Sequence, residues 1–438
     1  MAEFDVVDVC STLIRFDTTN RGNGDSEGER EAAEYVATLL ADAGVDAKII
    51  EAAPGRANVI ARIPGSDPSL PALLVQGHLD VVPAEASDWS VPPFSGEVSD
   101  GFVWGRGATD MKDFCAMVLA VVDSFARSGQ RPRRDLVLAF VADEEDKGDY
   151  GAHWLAREHP SLFEGCAAAI SESGGYTYHV PAADGRIVRL YPVATAERGT
   201  AHLRLTARGR AGHGSRPNTE NAVTRLVDAL GRITAHRWPV HLTPTVRAFL
   251  ERTGDALGVE VDLTGEAAID ATIARLGPAG GLVVPTVRNS TTPTMLEAGY
   301  KVNVIPTVAH AQVDTRVLPG TEEILLAEID AMLGEGVERE FVAHQPPVQA
   351  PVDSPWFEAM ASALRSQDPE AVVVPYCMGG GTDAKAFSPL GIDCYGFAPL
   401  YLPAGFPYRE MAHGVDERVP VEGLRFGVRV LDHFLSNC

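Results

Sequence analysis

Positive charge is scarce in this 438-residue sequence: 37 Lys and Arg stand against 60 Asp and Glu, a formal net charge of −23. A phosphate backbone would be repelled by such a surface, so nucleic acid is not an expected partner. Cysteine is scarce as well. The six thiols (Cys10, Cys115, Cys166, Cys377, Cys394, Cys438) are scattered with no Cys-x-x-Cys pair. That spacing argues against a disulfide framework and for reduced thiols in the cytoplasm. No apolar run approaches the roughly 20 residues a membrane helix needs. The opening stretch MAEFDVVDVC carries acids where a signal peptide needs basic residues. The expectation is a cytoplasmic protein with no membrane partner.

What remains is globular composition, 45% hydrophobic and 22% charged. The length is too great for one ordinary core, so two or three domains are expected. The first 140 residues alternate helix and strand. EREAAEYVATLLADAG has helical periodicity and stops at Gly44, VDAKII and NVIARI read as strands, and ALLVQGHLDVV as a third. FCAMVLAVVDSFARSG is a helix apolar on nearly every side, followed by the strands RDLVLAFVADEE and CAAAISESGG. This alternation predicts an α/β domain with a mostly parallel sheet and helices on both faces.

From about residue 196 the pattern changes to strand-helix-strand-strand-helix-strand. AHLRLTARGR, YKVNVIP, AHAQVDTRVLPG and EREFVAH supply the strands, and NAVTRLVDALGRI and EEILLAEIDAML the helices. The order fits an inserted ferredoxin-like α+β domain. The stretch 240–290, rich in Gly, Ala and Thr, yields no elements. The expected division is 1–195 and 348–438 for the α/β domain, with 196–347 as a lid and dimerisation domain.

Ligands of such sheets collect at the carboxyl ends of strands, and the polar residues lie there. His78 and Asp80 end one strand, Glu144 and Glu145 a second, and Glu172 a third. Asp110, in WGRGATDMKD, and His413, in EMAHGVDERV, complete a donor set of imidazole and carboxylate suited to zinc, cobalt or manganese. Two divalent ions balance three carboxylates and one hydroxide. Asp80, two residues after His78, fits an acceptor that fixes the imidazole tautomer. Glu144 and Glu145 are neighbours and should diverge on an extended chain. Glu145 is assigned to metal, and Glu144 to the proton of the attacking water. Taken singly, each has a plainer use: Asp110 as a helix N-cap, the glutamates as a solvated pair.

Together these stretches resemble the co-catalytic zinc metallopeptidases that include aminoacylase, glutamate carboxypeptidase, succinyl-diaminopimelate desuccinylase and carboxypeptidase S. The resemblance rests on GHLDVVP, WSVPPFSGEVSDGFVWGRGATDMK, ADEE, AGHGSRP, NVIP, DTRVLPG and AHGVDERV, in the family's order. It implies His78, Asp110 and Glu172 for one metal, and Asp110, Glu145 and His413 for the second. It implies Glu144 as general base, Asp80 behind His78, and a cis peptide after Asp110. His213 is implied as a lid histidine that reaches a dimer partner's site, and Asn303 and Arg316 as oxyanion and carboxylate binders. Gly380, Gly381 and Thr382 resemble a substrate loop. SESGG departs from the family's Glu-Pro at Glu172, Arg316 could instead pair with Asp314 or Glu322, and a triple glycine also marks a turn.

The implied activity is hydrolysis of an amide next to a free carboxylate, in a dipeptide, a C-terminal residue or an N-acyl amino acid, by a homodimer. The other class considered is a non-catalytic, metal-stabilised binding protein for amino acids or peptides. Such a protein has no use for Glu144.

Overall fold

The computed structural model describes residues 4–438. The chain runs through α1 (Val6–Arg15), α2 (Arg30–Asp42), β1 (Ala47–Ala53), β2 (Arg56–Ile63), β3 (Ala72–His78), α3 (Lys112–Ser128), β4 (Leu136–Val141), β5 (Cys166–Ser171) and β6 (Ile187–Glu197). It continues with β7 (Gly199–Arg208), α4 (Ala222–Ala235), α5 (Pro244–Leu257), α6 (Glu266–Arg275), β8 (Ser290–Ala298), β9 (Val308–Val317), α7 (Glu322–Leu333) and β10 (Val337–Gln345). It closes with α8 (Pro355–Gln367), β11 (Val372–Met378), β12 (Asp393–Gly396) and α9 (Val421–Asn437).

The large sheet runs β6-β12-β5-β3-β4-β2-β1, with Tyr178–Pro181 on the outer edge of β6 and β11 paired to β6 as well. Its centre is parallel: β3 pairs with β4 and β5, β5 with β12, and β6 with β11. Antiparallel pairs lie towards both edges, β1 with β2 and β2 with β4 on one side, Tyr178–Pro181 with β6 and β6 with β12 on the other. Alternation within one strand covers both faces. Leu136, Leu138 and Phe140 of β4 join the core under α1, α2, α3, α8 and α9, while Val137, Ala139 and Val141 join the core on the other face.

The second sheet is antiparallel, in the order β8-β9-β7-β10, with α4 and α7 on one face. Leu203, Leu205, Leu226, Ile233, Ala311, Val313, Leu325 and Ile329 form its core. This is the ferredoxin-like order. One strand differs from expectation. YKVNVIP is not a plait strand; only Val304–Ile305 pairs, with Gly212–His213, and the place belongs to β8.

The 240–290 stretch, which yields no elements by sequence, folds into helices. Thr243 caps α5, its hydroxyl accepting from Val246 N at 3.2 Å, and Pro244 occupies the first turn. Val246, Phe249 and Leu250 then pack against Leu190 and Ala194 of β6 and Val374 of β11. The segment thus rests on the large sheet, not on the plait.

Candidate metal centre

His78 is the last residue of β3 and is fully buried. Its Nδ1 lies 2.9 Å from the main-chain oxygen of Asp80. A carbonyl can only accept, so Nδ1 carries a proton, and the ring turns its Nε2 to the cluster. Nε2 is 3.1 Å from Asp110 Oδ1. The Asp80 carboxylate stands further from Nδ1, at 3.6 Å. It accepts instead from Glu144 N (3.1 Å), Glu145 N (3.2 Å) and Asn20 Nδ2 (2.9 Å). The expected role of Asp80 is therefore corrected: its main chain fixes the imidazole, and its side chain fixes the two glutamates.

The glutamates also diverge for a reason other than the expected one. Residues 144–147 form a turn, not an extended strand, entered through Asp143 at φ 66°. Glu145 Oε2 lies 3.0 Å from His413 Nε2, which is 3.3 Å from Asp110 Oδ2. Glu144 Oε2 lies 4.0 Å from His78 Nε2. His413 sits at φ 60°, a conformation ordinary side chains seldom adopt and one that surrounding structure must impose. The Asp110–Met111 peptide is cis. Asp110 does not act as an N-cap, since α3 begins after Met111 without a side-chain cap.

Two donor groups result, each with ligand atoms within 4.8 Å of one another: His78, Asp110 and Glu172, and Asp110, Glu145 and His413. Asp110 belongs to both. Glu172 lies in the first despite its SESGG context. Burial pushes the Glu144 and Glu172 carboxyls well above their usual range, and carboxylate neighbours (Glu172 for Glu144, Asp110 for Glu172) push them further. Burial also acts on Asp110, but hydrogen bonds from His413 and His78 outweigh it and hold its carboxyl below the ordinary value. Four crowded carboxylates, two imidazoles and no thiolate suit hard or borderline divalent cations. Glu145 Oε1 is buried without a hydrogen-bond partner, which leaves a lone pair for such a cation. The residues fit the group.

Two clefts flank the cluster. One, of 180 Å³, is bordered by Asp110, Glu172, Tyr176, Tyr376, Met378 and Tyr408. The other, of 140 Å³, is bordered by Glu144, Thr200, Arg316, Gly381, Thr382 and Lys385 among others. A roomier cavity of 600 Å³ lies against α1, α3 and α9 and holds none of the cluster.

The remaining expected residues divide. Arg316 reaches the polar cleft, but its Nε and Nη2 bind Asp314 at 2.7 and 3.1 Å. Gly381 and Thr382 border the same cleft, and Gly380 lies in the same loop after β11. His213 is exposed, and its Nδ1 pairs with Ser215. Asn303 is exposed beside it, its carbonyl accepting from Gly214 N at 3.0 Å. Those contacts do not carry either residue to the cluster. Sequence reasoning missed Asn20, which ties Asp80 to Asp143, and Glu417, which anchors the Asp110 loop. Glu417 lies four residues after His413 in a quoted motif. Asn20 has no such signal.

The profile of the peptidase family M20/M25/M40 matches residues 74–437. The N-fatty-acyl-amino acid synthase/hydrolase PM20D1 of Homo sapiens is 29% identical over 385 residues, covering 86% of this chain and 76% of its own. Aminoacylase-1 of Sus scrofa is 28% identical over 403 residues, 90% of this chain and 86% of its own. Among solved structures, the metallo-carboxypeptidase Sso-CP2 from Sulfolobus solfataricus superposes with a TM-score of 0.70 at 18% identity, over 99% of both chains. The di-peptidase Dug1p from Saccharomyces cerevisiae gives 0.66 at 19%, over 98% of this chain and 95% of its own. These last two bear on the fold alone. The chain belongs to the peptidase family M20/M25/M40 and is a metal-dependent amide hydrolase.

Proposed function

We propose that the chain holds two divalent cations, zinc in the first place, on His78, Asp110, Glu172, Glu145 and His413, and cleaves an amide next to a free carboxylate. The observation that carries this reading is the Asp110 carboxylate common to two donor groups, with Glu144 beside them and in neither. When bound, the cations polarise the scissile carbonyl and make the attacking water more acidic.

Glu144 takes the proton of that water and returns it to the leaving nitrogen. Its main-chain N–H is pinned by Asp80, so the backbone that carries the carboxylate is fixed before substrate arrives. The aromatic cleft of Tyr176, Tyr376 and Tyr408 suits the acyl half, and the polar cleft beside Glu144 suits the amine half with its carboxylate. N-acyl amino acids and dipeptides both fit this division; the three tyrosine rings with Met378 in the first cleft and the similarity to PM20D1 favour N-acyl amino acids. His213, exposed on the plait, is left to reach a second copy's site in a homodimer. Six free thiols, five of them buried, support a reducing cytoplasmic setting, and among the described residues no helix is long and apolar enough to cross a membrane.

Glu144→Gln should lower kcat by about 10²–10⁴-fold while elemental analysis finds the same cation content. Turnover at the wild-type rate would remove the general base from this mechanism.

A further inference from the structure

Lys385 lies beyond the loop of three glycines, Gly379–Gly381, and is not used by the mechanism above. It is 3% exposed, and its Nζ has no hydrogen-bond partner. The nearest opposite charge is Glu197 Oε2, at 3.5 Å. That carboxylate is already engaged: Thr382 N donates to Oε2 at 3.0 Å, and the Thr382 hydroxyl donates to Oε1. A buried ammonium with its N–H bonds unspent is costly unless something accepts them.

Its surroundings say what that acceptor is. Lys385 borders the same polar cleft as Glu144 and Arg316. Arg316 has its charge answered by the two-point pair with Asp314, and Arg198 spends its guanidinium on Gly379 O and Ser290 Oγ. Lys147, the third cation at this cleft, is exposed and lies 3.5 Å from Asn23 Oδ1, so Lys385 is the buried ammonium with donor capacity left. Gly381 makes room for it, because a Cβ at that position would overlap Nζ. In an α-amino-acid leaving group the carboxylate is attached to the carbon that bears the nitrogen. A nitrogen protonated by Glu144 therefore places its carboxylate in this cleft.

We propose that Lys385 receives the carboxylate of the leaving amino acid, with Gly381 keeping its path clear, so that this residue sets the preference for a free carboxylate over a neutral group. The assignment rests on the amide-hydrolase reading and on the direction of substrate it implies.

The test compares acetyl-, hexanoyl- and dodecanoyl-alanine with their alaninamide counterparts, using cation-loaded wild-type, Lys385→Met, Lys385→Arg and Gly381→Ala enzymes. In wild type kcat/KM favours the carboxylates. Lys385→Met should reduce that preference about tenfold or more, as expected for a lost hydrogen bond to a charged group, mainly through KM. Lys385→Arg should retain most of it. Gly381→Ala, which displaces the ammonium and keeps its charge, should reduce it in the same direction. A wild-type preference in folded Lys385→Met would overturn the proposal. So would the same result in Gly381→Ala, which decides the matter should Lys385→Met not fold. Wild-type enzyme that cleaves none of the six compounds would instead refute the N-acyl reading itself, and this one with it.

Discussion

Asp80 carries four duties within one residue. Its carbonyl accepts from His78, and its carboxylate accepts from Glu144 N, Glu145 N and Asn20. An asparagine at this position has one acceptor oxygen, so its amide nitrogen would face at least one N–H that now finds an acceptor. Asp80→Asn should weaken cation affinity or kcat/KM by about 10–100-fold, the usual scale for residues that orient ligands. A metal titration beside steady-state kinetics checks this; unchanged values in both would show that the two glutamates need no such anchor. The presence of Asp80 at the site was legible from His-x-Asp at a strand exit. Its partners were not, because the turn at residues 144–147 and the distant Asn20 decide them, and neither leaves a periodic trace.

Ligands far apart in sequence meet because the C-terminal stretch before α9 is tied to the loop before α3. Glu417 is fully buried and accepts from Arg106 Nη1 (2.7 Å), Gly107 N (3.0 Å), Thr109 N (2.7 Å) and Thr109 Oγ1 (3.0 Å). The same stretch carries His413, so one carboxylate sets the spacing between His413 and Asp110. Glu417→Gln leaves Arg106 buried without its counter-charge and should cost about 3–5 kcal/mol, read by denaturant unfolding of the cation-loaded chain; a loss below about 1 kcal/mol would contradict the tie. At this scale the large sheet was well marked in the sequence, since strands buried on both faces are apolar runs. The plait strand β8 was not. It lies on the edge with residues 294–298 largely exposed, contains Pro293, and shifts register between Pro293 and Met295. An edge strand of that kind has little alternation to detect. The α5 helix did leave a sign, Thr-Pro followed by Val246, Phe249 and Leu250 at helical spacing, masked by the small residues around it.

At the scale of the molecule, the large sheet brings its strand exits to one end, the C-terminal stretch adds His413, and the plait adds Arg316 to the polar cleft. In the proposed reaction the aromatic cleft takes the acyl half of the amide and the polar cleft the amine half. The overall acidity has no part in this: within the cluster, crowded carboxylates need local cations whatever the net charge of −23 does at the surface. The claim on which the rest depends is that Asp110 joins two cation sites, and elemental analysis of the purified chain supplied with zinc tests it most directly. The account predicts two zinc ions per wild-type chain and less than one in Asp110→Asn; a wild-type chain that holds one or none, or an Asp110→Asn chain that still holds two, would contradict it.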